Sequence, residues 1–195
     1  SANYALVPLT GFLGGSGSQP LAADFDGDAK ADPGVYFAAD GLWALKLSTL
    51  NYLAPTVIQS FGGAGWQALA ADFDGDKFAD LALYNTNGTW QVKLSTANYQ
   101  TIPLSNLLGR PDFTAVAADF DADGKADPAI YLPAVPSAQP MQAGNADSGS
   151  WVVILSSSNY GVAIIDPWFL GGPGYTGMAS DFDGDHYADP VVADP

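Results

Sequence analysis

The chain has no cysteine and no glutamate, one histidine, and only 6 lysines and arginines among 195 residues. Each shortage excludes something. Without cysteine there are no disulfides and no thiolate metal sites. With His186 alone, a histidine-based triad or a histidine-rich metal site has almost nothing to draw on. Few basic residues leave no footprint for nucleic acid, and an acidic surface disfavours anionic lipid. No apolar run of membrane-spanning length and no signal peptide is visible, so no membrane insertion is expected.

What is abundant is aspartate. All 21 acidic residues are Asp, giving a net charge of −15, and the 48% apolar content is enough for a real core. Sixteen of the aspartates fall in four copies of one stretch: Asp24-Phe25-Asp26-Gly27-Asp28, Asp72-Phe73-Asp74-Gly75-Asp76, Asp119-Phe120-Asp121-Ala122-Asp123 and Asp181-Phe182-Asp183-Gly184-Asp185. Each is completed eight residues after its first aspartate by Asp32, Asp80, Asp127 or Asp189. Carboxylates at positions 1, 3, 5 and 9 of a tight loop converge on one point, and like charges converge around a cation. Ca²⁺, which takes oxygen ligands from carboxylates and main-chain carbonyls, fits best. The seventh-position carbonyl, at Lys30, Phe78, Lys125 or Tyr187, supplies the remaining protein ligand on this reading.

One Asp-rich turn can be an ordinary solvated turn held by side-chain to backbone bonds. Four copies at one spacing point to up to four Ca²⁺ ions, which would offset about half of the net charge. Position 6 of such a loop calls for a left-handed backbone, and only Gly124 meets it without strain; Ala29, Lys77 and His186 stand there elsewhere. Loops built of Asp suit the millimolar calcium outside cells, so the expected location is extracellular or at the cell surface.

The first aspartates are 48, 47 and 62 residues apart. After each loop comes a strand-like run (33–37, 81–84, 128–132, 190–192), and after the first three an alternating segment centred on Trp43, Trp90 or Trp151. Asn-Tyr pairs follow the Trp segments (Asn51-Tyr52, Asn98-Tyr99, Asn159-Tyr160), with another at Asn3-Tyr4. Further apolar segments and Gly-rich turns such as 62–65 and 171–174 lead to the next loop. About four short strands per period of some 48 residues predicts an all-β chain, a β-propeller-like array of four-stranded blades, with an all-β solenoid as the other candidate. The repeats run roughly 4–51, 52–98, 99–159 and 160–195 in one domain, with 133–148 an insertion expected to form a surface loop.

Asp-Phe-Asp-Gly-Asp followed by Ala-Asp-Pro, a strand and a Trp strand resembles the FG-GAP/VCBS repeats of integrin-α-like propellers. The resemblance covers nearly the whole chain. It implies Ca²⁺ at the edge of each blade, held by Asp24, Asp26, Asp28 and Asp32 and their equivalents. That family usually builds seven blades; four repeats are present here, and 15 strands can be counted where four blades need 16. The chain starts after a Trp strand and stops before one. An open blade of that kind is expected to be completed either by neighbouring repeats of a longer array or by another copy of the chain.

Asp40, Asp112, Asp147, Asp166 and Asp194 lie outside the loops and share no motif, so no catalytic pair is expected and the chain reads as non-enzymatic. The three recurrent tryptophans are read as core between blades. Trp66, Phe113 and Tyr175 form a second recurrent aromatic position that could stack on sugars if exposed, and Trp168 has no counterpart in the other repeats. The expected role is adhesion or self-assembly through other protein chains or copies of itself. A glycan-binding module, or an accessory domain of a larger secreted enzyme, is the alternative.

Overall fold

Short alternating segments separated by Gly, Asp and Asn turns cannot each bury a face alone, so they pair locally and stack. The computed structural model describes residues 14–58, 61–97, 101–104, 113–133, 149–163 and 174–194. The pairs Asn3-Tyr4 and Asn98-Tyr99, Trp168, the 171–173 part of the second Gly-rich turn and all but the first residue of the 133–148 insertion lie outside them.

Fourteen strands are found among the described residues, in four small antiparallel sheets, with one 3-10 turn at Ser48–Leu50 and no α-helix. The first sheet runs β1 (Ser18–Ala23), β2 (Asp32–Phe37), β3 (Leu42–Leu45), β4 (Thr56–Ile58) in that spatial order. The second is β5 (Trp66–Ala71), β6 (Asp80–Asn85), β7 (Trp90–Lys93), β8 (Thr101–Leu104). The third is β9 (Thr114–Ala118), β10 (Asp127–Leu132), β11 (Ser150–Leu155), β12 (Gly161–Ala163). The fourth pairs β13 (Thr176–Ser180) with β14 (Asp189–Ala193). Each complete sheet is a meander of neighbours in sequence. Two compact units divide between Ala64 and Gly65: the first holds the first sheet, the second the other three.

Two differences from the sequence reading matter below. The second strand of each sheet starts one residue early, on the ninth-position aspartate itself. The Trp strands stop before Ser48 and Ser95, which frees those serines to turn toward the loops.

Within each complete sheet the Trp strand faces a tyrosine in register: Tyr36 opposite Trp43, Tyr84 opposite Trp90, Tyr131 opposite Trp151. Ring centroids are 4.9, 5.4 and 5.3 Å apart, and the rings are tilted, a favourable geometry for their quadrupoles. All six rings are buried. In the second unit, Trp90, Tyr84, Leu69 and Phe73 form one core with Ala115, Ala126, Ile130 and Ile154 of the third repeat. Trp151, Tyr131 and Phe120 are packed in turn by Ala179, Ala188 and Val192 of the fourth. The Gln67 side-chain amide ties the second sheet to the third. Its Nε2 donates to the Ala115 carbonyl at 3.0 Å and its Oε1 accepts the Ala115 N–H at 3.2 Å.

Candidate metal centres

In every sheet the Asp-rich segment is the eight-residue connection between the first two strands. It is closed by the pairs Ala23–Asp32, Ala71–Asp80, Ala118–Asp127 and Ser180–Asp189. Equal length and equal register give four loops of one shape.

The first aspartate builds that shape. Asp24 accepts the N–H of Gly27 at 2.6 Å and of Ala29 at 2.7 Å, and Asp72 accepts those of Gly75 and Lys77 at the same distances. Asp119 takes the N–H of Gly124 at 2.9 Å, and Asp181 those of Gly184 at 2.6 Å and His186 at 3.1 Å. Wrapping the chain around one carboxylate forces left-handed backbone at position 6, as expected. The φ values are 64° at Ala29, 74° at Lys77, 87° at Gly124 and 76° at His186. Position 4 is left-handed too, at Gly27, Gly75, Ala122 and Gly184. Each loop thus has two such positions and one glycine to share between them. A left-handed alanine costs about 1–2 kcal/mol, of which glycine's extra unfolded-state entropy returns roughly half. Ala122→Gly should therefore raise stability by roughly 0.5–1 kcal/mol, read from a denaturant midpoint.

The ninth aspartate is the anchor. Asp32, Asp80 and Asp127 are wholly buried. One oxygen of each accepts the N–H of the loop phenylalanine: Phe25 at 2.9 Å, Phe73 at 2.7 Å, Phe120 at 2.9 Å. The other accepts the N–H of Ser48, Ser95 or Ser156, each at 2.7 Å. Two charge-assisted bonds satisfy each buried carboxylate. Burial still pushes all three carboxyls up, that of Asp80 to about 6, against the opposing pull of those N–H groups. Asp189 keeps the Phe182 bond at 2.9 Å but is only half-buried.

The Leu-Ser-Ser/Thr segment after each Trp strand engages the remaining carboxylates. Ser48, Ser95 and Ser156 hydroxyls donate to Asp28, Asp76 and Asp123 at 2.5, 2.6 and 2.8 Å. Thr49 donates to Asp26 at 2.6 Å, and Thr96 and Ser157 make the equivalent bonds to Asp74 and Asp121. The sequence reading assigned these hydroxyls no part. The recurrence of Leu-Ser-Ser/Thr was the available signal, hidden because the insertion puts Ser156 twice as far from its aspartate as Ser95 is from Asp80.

Positions 1, 3 and 9 converge in all four loops. Asp24, Asp26 and Asp32 have carboxylate oxygens within 4.8 Å of one another, as do Asp72, Asp74 and Asp80, Asp119, Asp121 and Asp127, and Asp181, Asp183 and Asp189. The fifth-position aspartates Asp28, Asp76, Asp123 and Asp185, expected to converge with them, are not part of these triads. They accept the N–H of the seventh residue, at Lys30, Phe78, Lys125 and Tyr187 (3.0, 2.8, 2.9 and 2.9 Å). Asp28 also pairs with the Lys30 ammonium at 2.6 Å, which with the Ser48 hydroxyl holds its carboxyl below the usual range. The triads fit a hard divalent cation. Every donor is a carboxylate oxygen, and Asp26 Oδ1 is buried with no hydrogen-bond partner among the described residues.

Residues 64–101, which carry the first three strands of the second sheet and its loop, match the FG-GAP repeat family. That segment is an FG-GAP-type repeat. No curated protein matches it. The FG-GAP match spans one repeat, and the other three loops reproduce its hairpin register and its carboxylate triad. Phe25, Phe73 and Phe120 are buried, whereas Phe182 in the fourth loop is 64% exposed; Tyr187 of the same loop and Met178 of β13 are exposed too. Trp66, Phe113 and Tyr175 are half-buried, the last two against the cores of the second unit. Among the described residues no helix is long and apolar enough to cross a membrane.

Proposed function

We propose that this chain is a calcium-stabilised, β-propeller-like module of an extracellular protein, serving adhesion or assembly rather than catalysis. The observation that carries the proposal is the carboxylate triad repeated in all four loops. A bound Ca²⁺ would offset two of the triad's three negative charges and add its binding free energy to the fold. The chain's own part is positional. Position 1 shapes the loop, position 9 roots it in the sheet, and the Ser/Thr hydroxyls hold the carboxylates at positions 3 and 5. Asp28, Asp76, Asp123 and Asp185, and the seventh-position carbonyls, complete the ligand set in this reading.

Assembly is favoured over glycan binding by the distribution of exposed aromatics. Phe113 and Tyr175 are packed against core, which leaves little ring face for a sugar, whereas Phe182 and Tyr187 in the fourth loop and Met178 on β13 expose apolar surface. The test pairs calorimetric calcium titration with light scattering. Uptake of up to four ions per chain, with ordered oligomers that disperse in chelator, is the expected result. Absence of binding would sink the metal reading. A monomer at every concentration would sink assembly and turn attention to a glycan screen.

A further inference from the structure

The first aspartate of a loop has a second task, performed by its main chain. The Asp72 carbonyl accepts the Ala126 N–H at 2.6 Å, and the Asp119 carbonyl accepts the Ala188 N–H at 2.7 Å. In both cases the donor is the eighth residue of the following loop, immediately before that loop's ninth-position aspartate. These bonds belong to no strand ladder; they run from loop to loop. Side chains follow the same path. Ala126 lies in the core with Phe73, whose own N–H is held by Asp80, and Ala188 packs against the cluster containing Phe120, whose N–H is held by Asp127. A Cβ built at Gly75 would stand 3.4 Å from the Lys125 side chain.

Taking the loops as calcium sites, we infer that loading of the second, third and fourth loops is cooperative, transmitted by these main-chain bonds. An ion that fixes Asp72 fixes the carbonyl that seats Ala126, and with it the backbone of the ligand Asp127. The same holds from Asp119 through Ala188 to Asp189. The cost of ordering the shared peptide groups falls largely on the first ion, so the next finds its ligands already placed. The coupling acts equally in both directions, because linkage between two binding equilibria is reciprocal.

Each loop carries its own reporter. The N–H of Gly75, Gly124 and Gly184 is bonded to the first aspartate of its loop at 2.6, 2.9 and 2.6 Å, so its NMR signal follows local occupancy. The full chain labelled with ¹⁵N-glycine is titrated with calcium. The three signals are expected to shift together, more steeply than a single-site curve. Asp74→Asn in the second loop, or Asp183→Asn in the fourth, should raise the Gly124 midpoint about five-fold or more. An unmoved Gly124 midpoint in both variants overturns the inference. Should the variants fail to fold, the wild-type curve decides, and single-site steepness at all three glycines overturns it. A chain whose glycine signals ignore calcium altogether overturns the metal reading, and the coupling falls with it.

Discussion

Trp90→Ala is expected to lower unfolding free energy by about 3–5 kcal/mol in saturating calcium. Trp90 has no exposed surface and faces Tyr84 across β6 and β7 at 5.4 Å between ring centroids. Its surroundings include Ala82 and Val92 of its own sheet and Ile130, Val152 and Ile154 of the next repeat. Truncation opens a cavity bounded by two sheets held at fixed spacing by the Gln67–Ala115 bonds, so collapse is limited and the upper half of the range applies. Trp90→Phe, which keeps a ring against Tyr84, should lose less than half as much. Urea midpoints at unchanged slope are the measurement. A loss below about 1 kcal/mol would show that the repeats do not share this core.

Asp80→Ala should cost about 2–4 kcal/mol even in chelator, where a metal ligand as such would have no effect. Removing the carboxylate strands two N–H donors: that of Phe73, which is buried, and that of Ser95, which is partly so. Asp80→Asn keeps one acceptor but turns an amide donor toward the other N–H, and should recover only part of the loss. On the proposed calcium reading both variants should lose more when calcium is present. A chelated Asp80→Ala protein as stable as chelated wild type would mean that position 9 matters only through metal. The acid titration gives a second reading of the same residue. Its carboxyl in the fold, at about 6, stands above the unfolded value of 3.8. Its contribution in the metal-free protein is therefore greatest below pH 4 and is lost as pH rises through 6. Chelated wild type should accordingly be less stable at pH 7.5 than at pH 4.5, and Asp80→Ala should flatten that slope.

The carboxylate spacing was legible because a loop closed at fixed register repeats its sequence with it. Positions 1, 3 and 9 converge, and position 6 is left-handed at residues as unsuited to it as Lys77 and His186. The burial of Asp32, Asp80 and Asp127 was not legible. An aspartate looks solvated until the serine N–H that satisfies it is known, and that serine arrives from beyond a strand and a turn. Position 4 was passed over for the opposite reason, since Gly27, Gly75 and Gly184 sit there without strain and only Ala122 reveals the demand. Recurrent tryptophan could be read as core because a large ring that returns at one place in the repeat is most simply packing between repeats. Which tyrosine it meets depended on register, which hydrophobic pattern alone leaves open.

The bond from Ser156 to Asp127 closes a chain segment about twice the length of that closed by Ser95 and Asp80, yet all three such bonds measure 2.7 Å. Doubling a flexible closure costs only about 0.6 kcal/mol, and the two ends are held by ladder pairs on both sides. The turn between the second and third strands of a repeat therefore behaves as a graft point. Foreign peptides placed after Phe37 or Asn85 would be displayed from a sheet whose carboxylate anchor stays in place.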